Sequence, residues 1–139
     1  MEKDLSKRRQ ARELALQILF QGEFLESIDV DNSLDFFKVA LETNNETYVY
    51  AKHLCMGVIE NKETIDSTIQ SHSSNWKLHR MAMVDLNILR ISTFEILFSS
   101  DQVPPKSSID EAVDLAKKYS TQESSKFING VLDQVLKNA

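Results

Sequence analysis

The sequence predicts an all-α protein, and three observations carry that prediction. Apolar residues recur at the three-and-four spacing of an amphipathic helix in one segment after another. The 139 residues include only three glycines and two prolines, so turns are few and helices long. No stretch alternates apolar and polar residues between turn signals, as a half-buried strand would.

A chain of this length fits one domain and buries roughly two-thirds of the surface it would expose unfolded, enough to need neither disulfide nor metal. Cys55 is the one cysteine and lies in an apolar helical stretch, where it reads as a small core hydrophobe in a reducing compartment. His53, His72 and His79 have no ligand spacing with it, so no metal and no cofactor is expected. The opening MEKDLSKRRQAR lacks the apolar segment of a secretory signal, and a cytoplasmic protein is expected.

The first helix is expected from Lys7 to Leu25, with Ser6 as N-cap and Ala11, Leu14, Ala15, Ile18 and Leu19 as its core face. After an acidic loop from Glu26 to Asn32, a second helix capped near Asn32 or Ser33 carries Leu34, Phe36, Phe37, Ala40 and Leu41, ending at Thr43, Asn44 and Asn45. A long third helix runs from Glu46 to Ser71 through Val49, Leu54, Val58, Ile59, Ile65 and Ile69. Gly57 inside it weakens the helix by about 1 kcal/mol relative to Ala, which points to close approach of a neighbouring helix. Trp76 follows a polar break and reads as a core anchor.

The 16 residues Met83 to Phe98, MVDLNILRISTFEILF, are apolar over most of a helical wheel, the mark of a buried helix. Asp85, Asn87, Arg90 and Glu95 interrupt it, and such charges exclude a membrane span. Asp85, Ser92 and Glu95 form a narrow polar strip expected to face solvent, with Ile88 inside it as an exposed apolar residue. Val103, Pro104, Pro105 and Lys106 break the chain. A capping box of Ser108 and Glu111 then opens a helix through Ile109, Ala112, Val113, Leu115, Ala116 and Tyr119. Its terminal Lys117 and Lys118 suit the helix dipole. The last helix holds Phe127, Ile128, Val131, Leu132 and Val135, with Gly130 as packing relief.

Charge is distributed unevenly. The net charge of −5 excludes a generally basic nucleic-acid binder, yet residues 3 to 12 carry Lys3, Lys7, Arg8, Arg9 and Arg12 against Asp4, whereas residues 13 to 66 hold eleven acids and three bases. Cations near a helix N-terminus oppose its dipole, so a purpose other than helix stability is indicated. Arg8, Arg12, Leu16 and Phe20 form an i, i+4 line off the core stripe, placing cations, an aliphatic and an aromatic residue on one surface. Arginine is suited to phosphate by its planar, bidentate donors. Lys126 and Phe127 offer a cation beside a ring able to stack on an unpaired base. No glycine-rich phosphate loop, H-E-x-x-H or Ser-His and Cys-His context occurs, and an enzyme is not expected.

The segments RRQARELALQILFQ (8–21), VDLNILRISTFEIL (84–97), VPPKSSIDEAVDLAKKYS (103–120) and SSKFINGVLD (124–133) together resemble the NusB family of bacterial transcription antitermination factors. That resemblance implies a bundle of about seven helices, a single domain 1–139 with helical subdomains near 1–75 and 76–139. It implies binding to boxA RNA of ribosomal RNA leader transcripts together with NusE, a small-subunit ribosomal protein, in an antitermination complex with other Nus factors and RNA polymerase. The RNA-binding role then falls to Lys7, Arg8, Arg9 and Arg12, with Lys117, Lys118, Lys126 and Phe127 as further candidates. Contacts to NusE fall to Leu16, Phe20, Asp85, Ile88 and Ser92.

The chain departs from the family pattern at three places: Gln10 stands where an arginine is common, Phe20 where a tyrosine is common, and Tyr119-Ser120 where Phe-Gly is common. These changes remove one possible phosphate contact and one possible interfacial hydrogen bond. Some family members form homodimers that cover the Arg-rich surface. A self-associating helical adaptor with little RNA binding of its own is therefore the second reading. The related fold in ribosomal RNA cytosine methyltransferases carries an additional cofactor-binding α/β domain, for which 139 residues leave no room.

Overall fold

The structure is a computed structural model, described at residues 2–25, 27–41, 45–73 and 75–139, with side chains described in all of these except 2–5 and 37–41. Among the described residues there are seven α-helices and no strand: α1 (Glu2–Gly22), α2 (Val30–Leu41), α3 (Asn45–Glu60), α4 (Lys62–Ser71), α5 (Met83–Phe98), α6 (Pro105–Tyr119) and α7 (Gln122–Lys137), with a short 3-10 turn at Leu78–Arg80. The all-α expectation holds. Lys3 and Asp4 of the basic run, Glu26 of the acidic loop, and Phe37, Ala40, Leu41, Thr43 and Asn44 around the second helix lie outside the described side chains or residues. No described helix is long and apolar enough to cross a membrane.

Helix α5 is the axis of the molecule. Every residue from Asp85 to Ile96 is buried, because α1, α3, α4, α6 and α7 all pack on it. Leu86, Leu89, Ile91 and Phe94 enter one cluster with Ala15 and Ile18 of α1, Leu54 and Val58 of α3, Ile65 and Ile69 of α4, Leu115 of α6 and Leu132 of α7. The Cys55 thiol lies in this cluster, and burial pushes its pKa up to about 12, as fits an inert core hydrophobe.

The polar strip of α5 does not face water, which corrects the wheel reading. Glu95 is 1% exposed and Arg12 is 3% exposed. The Arg12 guanidinium donates from Nε to Oε1 of Glu95 at 3.0 Å and from Nη2 to Oε2 at 2.9 Å. Ser108 Oγ donates to Oε1 at 2.8 Å, and the Tyr50 hydroxyl donates to Oε2. One carboxylate thereby joins α1, α3, α5 and α6. Ser92 is buried by a 2.9 Å hydrogen bond with Ser108, and Ser124 Oγ donates to Asp85 at 2.7 Å. Ile88 is 1% exposed, because neighbours cover the strip on which it lies. A second network centres on Arg90, which pairs with Asp66 of α4 at 2.8 and 3.0 Å and with Glu23 beyond α1 at 2.7 Å.

Several boundaries differ from expectation. Helix α1 begins at Glu2, so Ser6 is internal; Lys, Arg and Gln are good helix formers and extend it through the basic run. It ends at Gly22, where the chain turns and Ile28 packs so closely that a Cβ would collide with its side chain. Asp29, not Asn32 or Ser33, caps α2 by accepting from the Asn32 N–H at 3.0 Å. The long third helix breaks at Asn61, whose side chain donates to the Gly57 carbonyl at 2.8 Å. Val49, Ile59 and Phe36 are exposed rather than core. Trp76 is 54% exposed, so it is not a core anchor.

The Ser108–Glu111 capping box is not formed. Helix α6 starts with Pro105 at its first turn, which frees Ser108 to reach Glu95 and Glu111 to reach Arg9. Thr121 caps α7, accepting from the Ser124 N–H at 2.9 Å. Gly130 has nothing within 4 Å of a would-be Cβ and relieves no packing. Gly57 does relieve packing, since a Cβ there would run into the Phe94 ring.

Two stability measurements follow from this core. Glu95→Ala should cost about 3–5 kcal/mol in chemical denaturation, because it strands a buried guanidinium, whereas Arg9→Ala on the surface should cost less than about 1 kcal/mol. Similar small losses for both would mean that Glu95 is not the tie between helices. Gly57→Ala should lower stability by about 1–3 kcal/mol through overpacking, read from the same transitions; an unchanged midpoint would show that Phe94 moves aside freely.

Candidate nucleic-acid interface

Helical geometry divides the basic run into inward and outward members. Arg12 points into the core, where burial disfavours its charge but the facing Glu95 outweighs that effect and raises its pKa. Arg12 is thus a structural residue, a correction to its expected place on the binding surface. Leu16 is likewise buried at 4% exposure, and with Ile88 and Ser92 it leaves the set of accessible partner contacts. Each was misassigned for one reason: α1 and α5 are covered on more sides than a single apolar stripe allows.

The outward members are divided between the two helices that flank α1. Arg8 is half-buried, with its guanidinium 5.6 Å from the centre of the Tyr50 ring, and Tyr50 is held in place by Glu95. Burial and then Glu95 raise the Tyr50 pKa, so the phenol stays a neutral donor. Lys7 Nζ pairs with Glu46 at 2.7 Å. Arg9 lies across α6, donating to the two carboxylate oxygens of Glu111 at 3.0 and 2.9 Å. That hydrogen-bonded pair holds Glu111 below the usual carboxylate range.

Helix α6 adds Lys117 and Lys118 to the same surface, both exposed in its last turn. Lys118 pairs with Glu13 at 3.0 Å and lies 5.2 Å from the centre of the Tyr119 ring, whose hydroxyl also donates to Glu13 at 2.9 Å. Arg9, Lys117 and Lys118 line one shallow groove between α1 and α6. Arg9 and the lysine pair, more than a hundred residues apart in sequence, are therefore brought together, while Lys7 and Arg8 meet Glu46 and Tyr50 of α3.

Lys126 and Phe127 line a separate hollow with His72, Asn75 and Trp76. Phe127 is half-buried and meets Trp76 edge-on, the ring centres 6.5 Å apart. On the other side of this aromatic pair a second hollow contains Arg80, Asp85 and Ser124. Exposed aromatics flanked by cations suit unpaired bases, which offer both a π-face and a phosphate. The sequence signal for Trp76 was its position in a polar break; reading it as a core anchor missed its exposure.

The partner candidates are divided in the same way. Phe20 is half-buried and packs edge-on against Phe24 at 5.4 Å, and Phe24 and Leu25 beyond it are 66% and 61% exposed. This apolar patch at the end of α1 is larger than the single Phe20 expected. Asp85 is only 8% exposed and is engaged by Ser124, so it is a rim residue of the hollow rather than part of an open charged strip.

Residues 9–137 match the model of the NusB family. The chain is 50% identical over 131 residues to the transcription antitermination protein NusB of Bdellovibrio bacteriovorus, covering 94% of this chain and 96% of that protein. It is similar to the solved NusB of T. maritima, with a TM-score of 0.81, 35% identity and coverage of 94% of this chain and 90% of that one. It is also similar to a chain in a crystal structure of the antitermination factors NusB and NusE in complex with double-stranded RNA, with a TM-score of 0.85, 28% identity and coverage of 96% and 98%.

Proposed function

The chain belongs to the NusB family of transcription antitermination proteins, a non-enzymatic family, and from that premise we propose how its surface divides the work of the family between RNA and protein. The RNA face comprises Lys7, Arg8, Arg9, Lys117 and Lys118, continued by Lys126, Phe127 and Trp76. The observation that carries this reading is the gathering of Arg9 of α1 with the terminal lysines of α6 around one groove, with Arg8 and Lys7 beside it on α1, in a chain whose net charge is −5. Phosphates would be held by the cations and unpaired bases by the Trp76–Phe127 pair. The remaining acidic surface would keep RNA from wrapping further, so affinity is modest and falls with salt.

The RNA is the boxA element of ribosomal RNA leader transcripts, and the protein partner is NusE, with which the chain acts in the cytoplasm in a complex with other Nus factors and RNA polymerase. The similar NusB crystallised with NusE and double-stranded RNA supports an RNA ligand and a NusE partner. For NusE, the Phe20, Phe24 and Leu25 patch supplies the apolar anchor that interfaces concentrate energy in, and Asp85 supplies a charge at the rim of the hollow that Trp76 and Phe127 also line.

Replacing Arg8 and Lys117 together by Ala should weaken boxA binding and flatten the logarithmic salt dependence by about 0.7 per lost contact to a single strand, with the melting temperature unchanged. Phe127→Ala should lose about 1–3 kcal/mol of binding if a base stacks there, and Trp76 fluorescence should change on RNA addition. Unaltered affinity and slope in these variants would move the RNA to another face. Phe20→Asp should weaken NusE binding by about 2 kcal/mol or more in calorimetry at a stability cost of about 1 kcal/mol; normal binding, or a steep loss of stability, would remove Phe20 from the interface.

A further inference from the structure

The groove between α1 and α6 is lined by three cations, Arg9, Lys117 and Lys118, and by three carboxylates, Glu13, Glu111 and Asp114. Its formal charge is zero, although it lies on the face that would hold RNA. Glu111 engages Arg9 through two parallel hydrogen bonds, the fork geometry that a guanidinium also makes with a phosphate. Glu13 engages Lys118 through both oxygens, at 3.0 and 3.2 Å, and accepts from the Tyr119 hydroxyl. Asp114 is the looser neighbour, 3.8 Å from Arg9.

Stability gives these pairs little reason to exist. The Arg9 and Lys118 side chains are 55% and 58% exposed against 13% and 24% for Glu111 and Glu13, and ion pairs whose cation stands in water contribute little to folding. The two helices are tied already through Arg12, Glu95 and Ser108. What the carboxylates do change is the field that a polyanion meets on approach.

We propose that Glu111, assisted by Glu13, sets the affinity of the RNA face by occupying the position of a phosphate on Arg9, so that RNA enters this groove by exchanging a phosphate for the Glu111 carboxylate. The proposal rests on the RNA reading above. An isolated small anion gains nothing from the exchange, because it replaces one carboxylate contact by an equal one. A strand gains, because it also reaches Lys117, which lines the groove and has no anionic partner among the described residues, and because it extends past the groove to further cations. Exchange also mutes the salt response: the displaced carboxylate gathers cations of its own, offsetting those the phosphate releases. The groove thus discriminates extended polyanions from single ones.

The test is a titration of a labelled boxA oligonucleotide into the full chain, Glu111→Gln, Arg9→Ala and the double variant, at several salt concentrations. Gln keeps the size of Glu and one acceptor, and the melting temperature reads that the fold is retained. Glu111→Gln should bind about fivefold more tightly at low salt, the effect of removing one like charge near a phosphate in high dielectric. Its salt slope should steepen by up to about 0.7. The gain should disappear in the Arg9→Ala background, and Glu13→Gln should show a smaller gain of the same sign. Equal or weaker binding by Glu111→Gln overturns the exchange, as does a gain that persists undiminished without Arg9. Binding by neither the unaltered chain nor Glu111→Gln overturns the RNA reading itself, and the exchange with it.

Discussion

One buried carboxylate fixes the arrangement of four helices. Glu95 sits on the central α5 and accepts from Arg12 of α1, Tyr50 of α3 and Ser108 of α6. A carboxylate so deep is costly to bury unless both oxygens are satisfied. Here a guanidinium and two hydroxyls meet them. The pairing stabilises less than its Coulomb energy suggests, since two charges lose water to make it. Its stronger effect is on specificity: a slip of α1 by one turn would remove Arg12 from Glu95 and leave two buried charges unpaired. Arg90 repeats the arrangement in the middle of α5 with Asp66 and Glu23.

The apolar surroundings make these polar ties selective. Leu86, Leu89 and Ile91 pack around α5 with little regard for direction, because a helix apolar on most sides can be rotated at modest cost. Hydrogen bonds at Asp85, Ser92 and Glu95 remove that freedom. The close contact of Gly57 with Phe94 works in the same sense, since it fixes where along α3 the Phe94 ring of α5 can fit.

Much of this was legible in the residues. The 3.6-residue period marked every helical stretch but not the break between α3 and α4, the Pro104–Pro105 pair marked the stop before α6, and the four ordered motifs carried the family. What was not legible has one physical cause. A wheel shows which side of a helix is polar, but not whether that side meets water or the polar side of another helix. The partners of Glu95 lie 83, 45 and 13 residues away in sequence, so nothing local marks the strip as buried. Ile88 and Leu16 were placed outside the core by the same blindness. Ser108 and Glu111 matched a capping box by spacing, yet both are drawn away by residues of other helices. The candidate site was therefore legible as a cation run and an aromatic, while its division into inner and outer members was not.

That division follows from Arg12 once its direction is known. At about 100° per residue, Arg8 lies some 40° to one side of Arg12 and Arg9 about 60° to the other. With Arg12 fixed toward Glu95 between the neighbouring helices, Arg8 leans toward α3 and meets Tyr50, and Arg9 leans toward α6 and meets Glu111. The core thereby aims the surface. A cation run that opposes the helix dipole is tolerated because one member is neutralised inside the protein, and that same member orients the two left outside.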